Sequence, residues 1–255
     1  MKKTLLIIVF LIITQIQDIS AETVSVSGGF YAAYMPSMGG NLGSYTQETY
    51  FNSNSGIDGI NRSMDGYSTS NIDRLTGVFA GFDVKAIFHD YYLIRVGANY
   101  GMSIMGGKGK TIYNDGTYHN LECEYSLKQY DFPVTVGLSI PFWKDARISL
   151  SCGTAFARAT YENKFESDST AAPFSATQSA IKGKFTGWAF PLVVIIQGDY
   201  FLKQEVALTT TIAYYKGSTK VIKDSKDNDG NIDFASIDFT GYRFNLGVSY
   251  YFYSK

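Results

Sequence analysis

The chain has 255 residues, of which 45% are apolar and 16% aromatic, with a formal net charge of −1. A chain so close to neutral has no field with which to neutralise phosphates, so nucleic acid is excluded as the expected partner. Beyond the N-terminus no apolar run approaches the roughly eighteen residues that a spanning helix needs, which excludes helical membrane spans. Twenty-five Gly, 20 Tyr and 18 Phe against 5 Pro favour many strands joined by turns.

The chain opens with two lysines, an apolar run from Leu5 to Ile13, and a polar stretch ending at Ser20 and Ala21. This is the pattern of a secretory signal peptide over residues 1–21, which leaves residues 22–255 as one domain. No Cys follows the apolar run, so no lipid-anchored N-terminus is expected.

Eight segments then alternate with period two, and the apolar residue is even-numbered in each. They run Val24 to Tyr34, Val78 to Phe88, Tyr92 to Ile104, Tyr130 to Ile140, Ile148 to Phe156, Trp188 to Ile196, Leu202 to Tyr214 and Tyr242 to Phe252. No even position in these windows is charged. The odd positions in these windows, with Arg147 just before the fifth, hold Asp83, Lys85, Arg95, Asp131, Arg147, Lys203, Glu205 and Arg243 among Gly, Ser, Thr and Ala. A soluble sheet would turn a Lys- and Glu-rich face to water. The small residues and few charges of both signs here suit a narrow enclosed interior, with the apolar face turned to lipid.

The links alternate in length. Short ones fall near His89 to Tyr91, Phe142 to Ala146 and Gly198 to Phe201, and long ones run Met35 to Gly77, Met105 to Gln129, Ala157 to Gly187 and Tyr215 to Gly241. Short turns at one end and long loops at the other are the arrangement of outer-membrane barrels. The expected fold is all-β: an eight-stranded antiparallel up-and-down transmembrane β-barrel with four long extracellular loops and short periplasmic turns. Aromatic girdles are expected at both interfaces: Tyr34, Tyr100, Tyr130, Trp188, Tyr214 and Tyr242 at the long-loop end, and Phe88, Tyr92, Phe142, Tyr200 and Phe252 at the other.

The chain resembles the small bacterial outer-membrane β-barrel family of OmpA/OmpX-type and OmpW-like proteins over about the whole mature length. The most specific parts are YDFPVTVGL at Tyr130 to Leu138 and LSCGTAFA at Leu150 to Ala157. The closing FNLGVSYYF resembles the C-terminal signal read by the barrel-assembly machinery, with Tyr250 and Phe252 as its aromatic residues. The resemblance implies an outer-membrane location, with lipid, lipopolysaccharide and the assembly machinery as partners.

The interior charges are expected to form a paired ionic plug. The alternative is a thin pore favouring anions, since five cations against three anions leave that set at net +2. Cys152 falls opposite roughly Val136 on the neighbouring strand, so Cys123 lies about 13 residues, on the order of 40 Å, out of register. A bridge needs Cα atoms within about 7 Å, so two free thiols are expected, Cys152 on the lipid face and Cys123 in an outer extension.

Other motifs fail on inspection. Aligning Gly230 with the turn glycine of a calcium loop puts Ser225 and Ser236 where acidic ligands belong, so Asp224 to Asp233 reads as a solvated loop. Gly106 to Thr111 lacks the first glycine of a phosphate loop, and Ile104 stands in its place. His89 falls in a short turn and His119 in the second long link near Asp115; loop Ser and Asp are abundant, so their nearness to His119 is weak evidence for a catalytic site, and no cofactor or metal is implied. The expected function is non-enzymatic: surface-exposed loops, chiefly Asn41 to Asn71, with a structural or adhesive role toward host or cell-surface ligands. The alternative is a small porin-like channel for small or hydrophobic solutes.

Overall fold

A computed structural model describes residues 24–39, 67–69, 75–103, 109–114, 118–167, 183–219 and 237–254. The segment read as a signal peptide, the acidic stretch Asp224 to Asp233 and most of the first long link lie outside these residues.

Eleven strands are formed: β1 Val24–Met38, β2 Tyr67–Thr69, β3 Leu75–Phe88, β4 Tyr92–Ser103, β5 Gly109–Asn114, β6 Tyr118–Trp143, β7 Ala146–Ser167, β8 Gly183–Ala189, β9 Leu192–Lys203, β10 Val206–Lys216 and β11 Gly241–Ser254. Eight staves make the wall, in the order β1, β3, β4, β6, β7, β9 with β8, β10 and β11, and β11 pairs back onto β1 to close it. All wall pairings are antiparallel. β8 and β9 form one stave, since both keep the same register against β7 across Phe190 and Pro191. The Pro191 carbonyl still accepts from the Ala155 amide at 3.0 Å, so the interruption removes a donor without shifting the alternation.

Barrel width follows from the register. A path through paired residues runs Val24, Phe88, Tyr92, Leu138, Leu150, Ile196, Ile212, Phe244 and back to β1 at Tyr34, ten residues beyond its start. With eight strands, that stagger tilts the staves by about 40° and leaves a bore that side chains can fill. Apart from register shifts at strand ends, such as Val26↔Tyr253 and Val206↔Lys203, the barrel-wall pairs join residues of equal parity, so the even-out, odd-in alternation carries around the wall. Phe244, Leu246 and Val248 are 46%, 58% and 50% exposed, whereas Arg243 between strand neighbours is 1% exposed. Between the girdles a stave such as Val78 to Phe88 spans about 25 Å of apolar surface, the height of a bilayer core.

Two strand limits differ from the sequence expectation. The third short turn lies at Gln204–Glu205, not at Gly198 to Phe201, because β9 continues its alternation to Lys203. On the opposite side, β6 and β7 run far past the outer girdle and pair from Leu121↔Ser167 down to Trp143↔Ala146. Part of the second and third long links is therefore strand. With β5 and β2 on one flank and β8 on the other, these strands form a blade standing above the barrel.

The turn between β3 and β4 has positive φ at both His89 (50°) and Asp90 (63°), and the Tyr91 amide donates to the Phe88 carbonyl at 3.0 Å. Positive φ at both central residues of this four-residue turn gives it the twist that the flanking strands require, and the loop between the paired Phe88 and Tyr92 is three residues.

Candidate functional site

The lumen is built in layers. Nearest the short turns, Ile87, Leu93, Ala207 and Tyr251 pack together with Phe201 against them. Above this floor, Lys85 Nζ donates to both oxygens of Asp199, at 3.3 and 3.2 Å, and to Ser249 Oγ at 3.3 Å. Thr209 Oγ1 donates to Asp199 at 2.6 Å, Gln197 Nε2 at 2.7 Å and the Tyr251 hydroxyl at 3.2 Å. Both ions are at most 3% exposed. The cost of burying them is offset by opposite charge and by four groups that donate five hydrogen bonds to one carboxylate.

Arg95 pairs with Asp83 on the adjacent strand in the middle of the bore. Among the described residues, Arg95 Nε and Nη1 have no hydrogen-bond partner. The third pair lies toward the outer girdle. Arg243 reaches Asp131 with both terminal nitrogens, at 3.3 and 2.9 Å, a two-point pairing of planar groups. Asn99 Nδ2, Gln129 Nε2 and the Tyr215 hydroxyl also donate to Asp131, at 2.5, 3.2 and 3.2 Å. The guanidinium lies 3.8 Å from the centre of the Phe79 ring and 4.4 Å from that of Tyr215, so its faces are covered as well. Gly101 makes room for this stack, because a Cβ there would run into the Phe79 ring.

Two of these pairs cross the bore. β3 and β9 are four staves apart in a wall of eight, and so are β6 and β11. Lys85–Asp199 and Asp131–Arg243 are therefore diametric struts, set about a quarter turn from each other. Above the upper strut, Met35, Met38, Leu127, Tyr161, Ile237 and Phe239 are all 1% exposed or less.

The structure brings together five of the interior charges read from sequence, Asp83, Lys85, Arg95, Asp131 and Arg243. It does not include the other three. Arg147 is half-buried at the short-turn rim, where it donates to Ser139 Oγ at 3.2 Å and to the Asp90 carbonyl at 2.5 Å. Lys203 and Glu205 are exposed at the β9–β10 turn, and Glu205 accepts from the Tyr250 hydroxyl at 2.9 Å. Moving that turn to Gln204–Glu205 takes both out of the bore and brings in Asp199, whose odd number was the available signal. Among the described residues three buried cations face three buried anions, so the net +2 behind the anion-favouring pore is corrected to zero for that set.

The girdle residues lie where parity puts them, on the outer face. Tyr100 and Tyr130 have ring centres 4.7 Å apart, and Tyr214 and Tyr242 4.9 Å. Tyr34, Trp188, Tyr92, Phe142, Tyr200 and Phe252 are exposed and Phe88 half-buried. Tyr250 and Phe252 pair at 5.2 Å on the lipid side of β11. Cys152 is a free, exposed thiol opposite Val136, and Cys123 lies in the blade opposite Gly109 and Phe165. His89 stands edge-on to Tyr92 at the β3–β4 turn, and the backbone of His119 pairs with Tyr113 in the blade. Among the described residues no group of three or more His, Cys, Asp or Glu gathers as a metal site. An open recess of about 770 Å³ lies under the floor at the short-turn mouth, between Lys144, Arg147 and Glu205.

A closed eight-stave barrel that is apolar outside, with aromatics at two levels, and ionic within has the architecture of a transmembrane β-barrel. No protein-family model matches the chain, and no curated protein matches it either. Among solved structures it is similar to the outer membrane protein OprG from Pseudomonas aeruginosa, at 13% identity and a TM-score of 0.45, over 91% of this chain and 97% of that one. It is also similar to Ail, the attachment invasion locus protein of Yersinia pestis (11%, 0.39, 91% and 99%), and to the outer membrane protease OmpT from Escherichia coli (10%, 0.33, 91% and 96%).

Proposed function

We propose that the protein is a closed, non-conducting barrel of the bacterial outer membrane that holds its blade and long links at the cell surface as an interaction or adhesion surface. The observation that carries this is the filled bore: two struts join opposite walls, and apolar layers lie below and above them. A porin-like passage needs a hydrated route past these layers, and an eight-stranded wall leaves little width for one. On this reading the buried ions fix the register and rigidity of the barrel, and the function lies in what the barrel displays. Residues 1–21 direct export, and Tyr250 and Phe252 present the aromatic end that the assembly machinery recognises.

The test has two parts. Purified protein in planar bilayers is expected to give no discrete conductance steps. Protease added to intact cells is expected to cut within the long links and to spare the turns at His89–Tyr91, Lys144–Asp145 and Gln204–Glu205. Stepwise conductance would replace this proposal with a channel, and cuts at the short turns would invert the orientation.

A further inference from the structure

The buried charges differ in what stands beside them on the wall. Asp83 is opposite Gly97, diagonal to Arg95 on the adjacent stave, and pairs with it directly. Lys85 has Ser27 as its cross-strand partner on β1 and Arg95, a second cation, on β4. Asp131 lies between Asn99 and Ala157, and Arg243 is opposite Ala213. Lys85, Asp131 and Arg243 therefore meet their counterions only across the bore. Asp199 is different, because its cross-strand partner on β7 is Arg147. In the closed barrel Arg147 nevertheless donates to Ser139 Oγ and to the Asp90 carbonyl at the β3–β4 turn, while Asp199 is held by Lys85. Opposite charges at paired positions attract on any antiparallel pair, in an open sheet as in a closed one. A contact between opposite walls exists only once β11 has met β1.

We propose that the bore charges form a latch that sets in two stages as the barrel assembles. While the sheet is open, Arg147 neutralises Asp199 and Asp83 neutralises Arg95, each across one boundary between neighbouring staves. When β11 closes on β1, Asp199 passes from Arg147 to Lys85, Arg147 is released to the β3–β4 turn, and Asp131 meets Arg243. Two observations give the exchange its direction. Asp199 is 3% exposed in the closed barrel, where Lys85, Thr209, Gln197 and Tyr251 together satisfy it, whereas Arg147 stays half-buried at the rim. The like charges of Lys85 and Arg95 also oppose each other across the β3–β4 pair until Asp199 arrives from the far wall. The latch goes beyond the surface role given above and requires only that the sheet close in a bilayer.

Kinetics separates a pair that forms early from one that forms late. The experiment follows folding of the full chain from urea into phosphatidylcholine vesicles, and unfolding in the reverse jump, by tryptophan fluorescence and the heat-modifiable gel band. Arg243→Met is expected to unfold about a hundredfold faster or more, while its folding rate stays within about twofold of the unaltered protein. Arg147→Met is expected to fold about two- to fivefold more slowly, and Arg147→Lys, which keeps the charge, to fold at the unaltered rate. In the unaltered protein, raising salt from about 0.05 M to about 0.5 M is expected to slow folding by a similar factor and to leave unfolding unchanged, because only the open-sheet pair is in water. Arg147→Met is expected to lack that salt response. An Arg243→Met chain that folds more slowly by as much as it unfolds faster overturns the proposal, since the strut would then form before closure is complete. Arg147→Met folding at the unaltered rate also overturns it. So does a folding rate of the unaltered protein that is indifferent to salt, a result that needs no variant to fold.

Discussion

Replacing Arg243 by Met tests whether the bore is dry. The substitution keeps most of the length and removes the charge, leaving Asp131, itself 0% exposed, with an unpaired carboxylate between Asn99, Gln129 and Tyr215. Two opposite charges with centres about 4 Å apart attract by about 4 kcal/mol at an effective dielectric of ~20, and by about 1 kcal/mol if water fills the space. Breaking a buried pair from one side costs about 3–5 kcal/mol for the same reason. Arg243→Met is therefore expected to lower stability by about 3–5 kcal/mol. Adding Asp131→Asn should recover at least half of this, because the Asn oxygen still accepts from Gln129 or Tyr215 and no charge remains. The assay is urea unfolding from phospholipid vesicles, followed by Trp143 and Trp188 fluorescence and by the heat-modifiable gel band. A loss of about 1 kcal/mol or less in the single variant, with no recovery in the double, would show a hydrated strut and refute the closed lumen.

Gly101→Val should destabilise by about 1–3 kcal/mol and loosen the Phe79 ring from Arg243, since the new side chain enters the space that ring occupies; the same urea titration checks it. Asp90→Gly should raise the unfolding midpoint by the equivalent of about 0.5–1 kcal/mol, because φ of 63° costs glycine little. A loss of stability there would point to a structural use of the Asp90 side chain. A spin label on Cys152, with Cys123 changed to Ser, should be more accessible to oxygen than to a water-soluble nickel relaxer, as its exposed position opposite Val136 on the outer wall requires. The reverse ratio would place that face in water.

How much could be read from the chain varies with the range of the interaction. Alternation is local, since each residue's parity fixes its face whatever lies across the bore. Val24 to Tyr34 and Tyr242 to Phe252 therefore declared an apolar exterior and a polar interior without any knowledge of neighbours. The same property misled at one turn. Gly198 and Asp199 resemble a turn, but their alternation continues, and only pairing with Thr210 and Thr209 of β10 shows β9 running on to Lys203.

By itself the sequence determined an even-out, odd-in wall of eight staves with three short turns, because period-two patterning needs no partner. Only the tertiary structure decided that Lys85 meets Asp199 and Arg243 meets Asp131 across the bore, since a stagger of ten residues places side chains from opposite walls together. It also decided that Met38, Tyr161 and Phe239, distant in the chain, are buried beyond the upper strut. Such contacts depend on barrel closure and tilt, which no single strand carries.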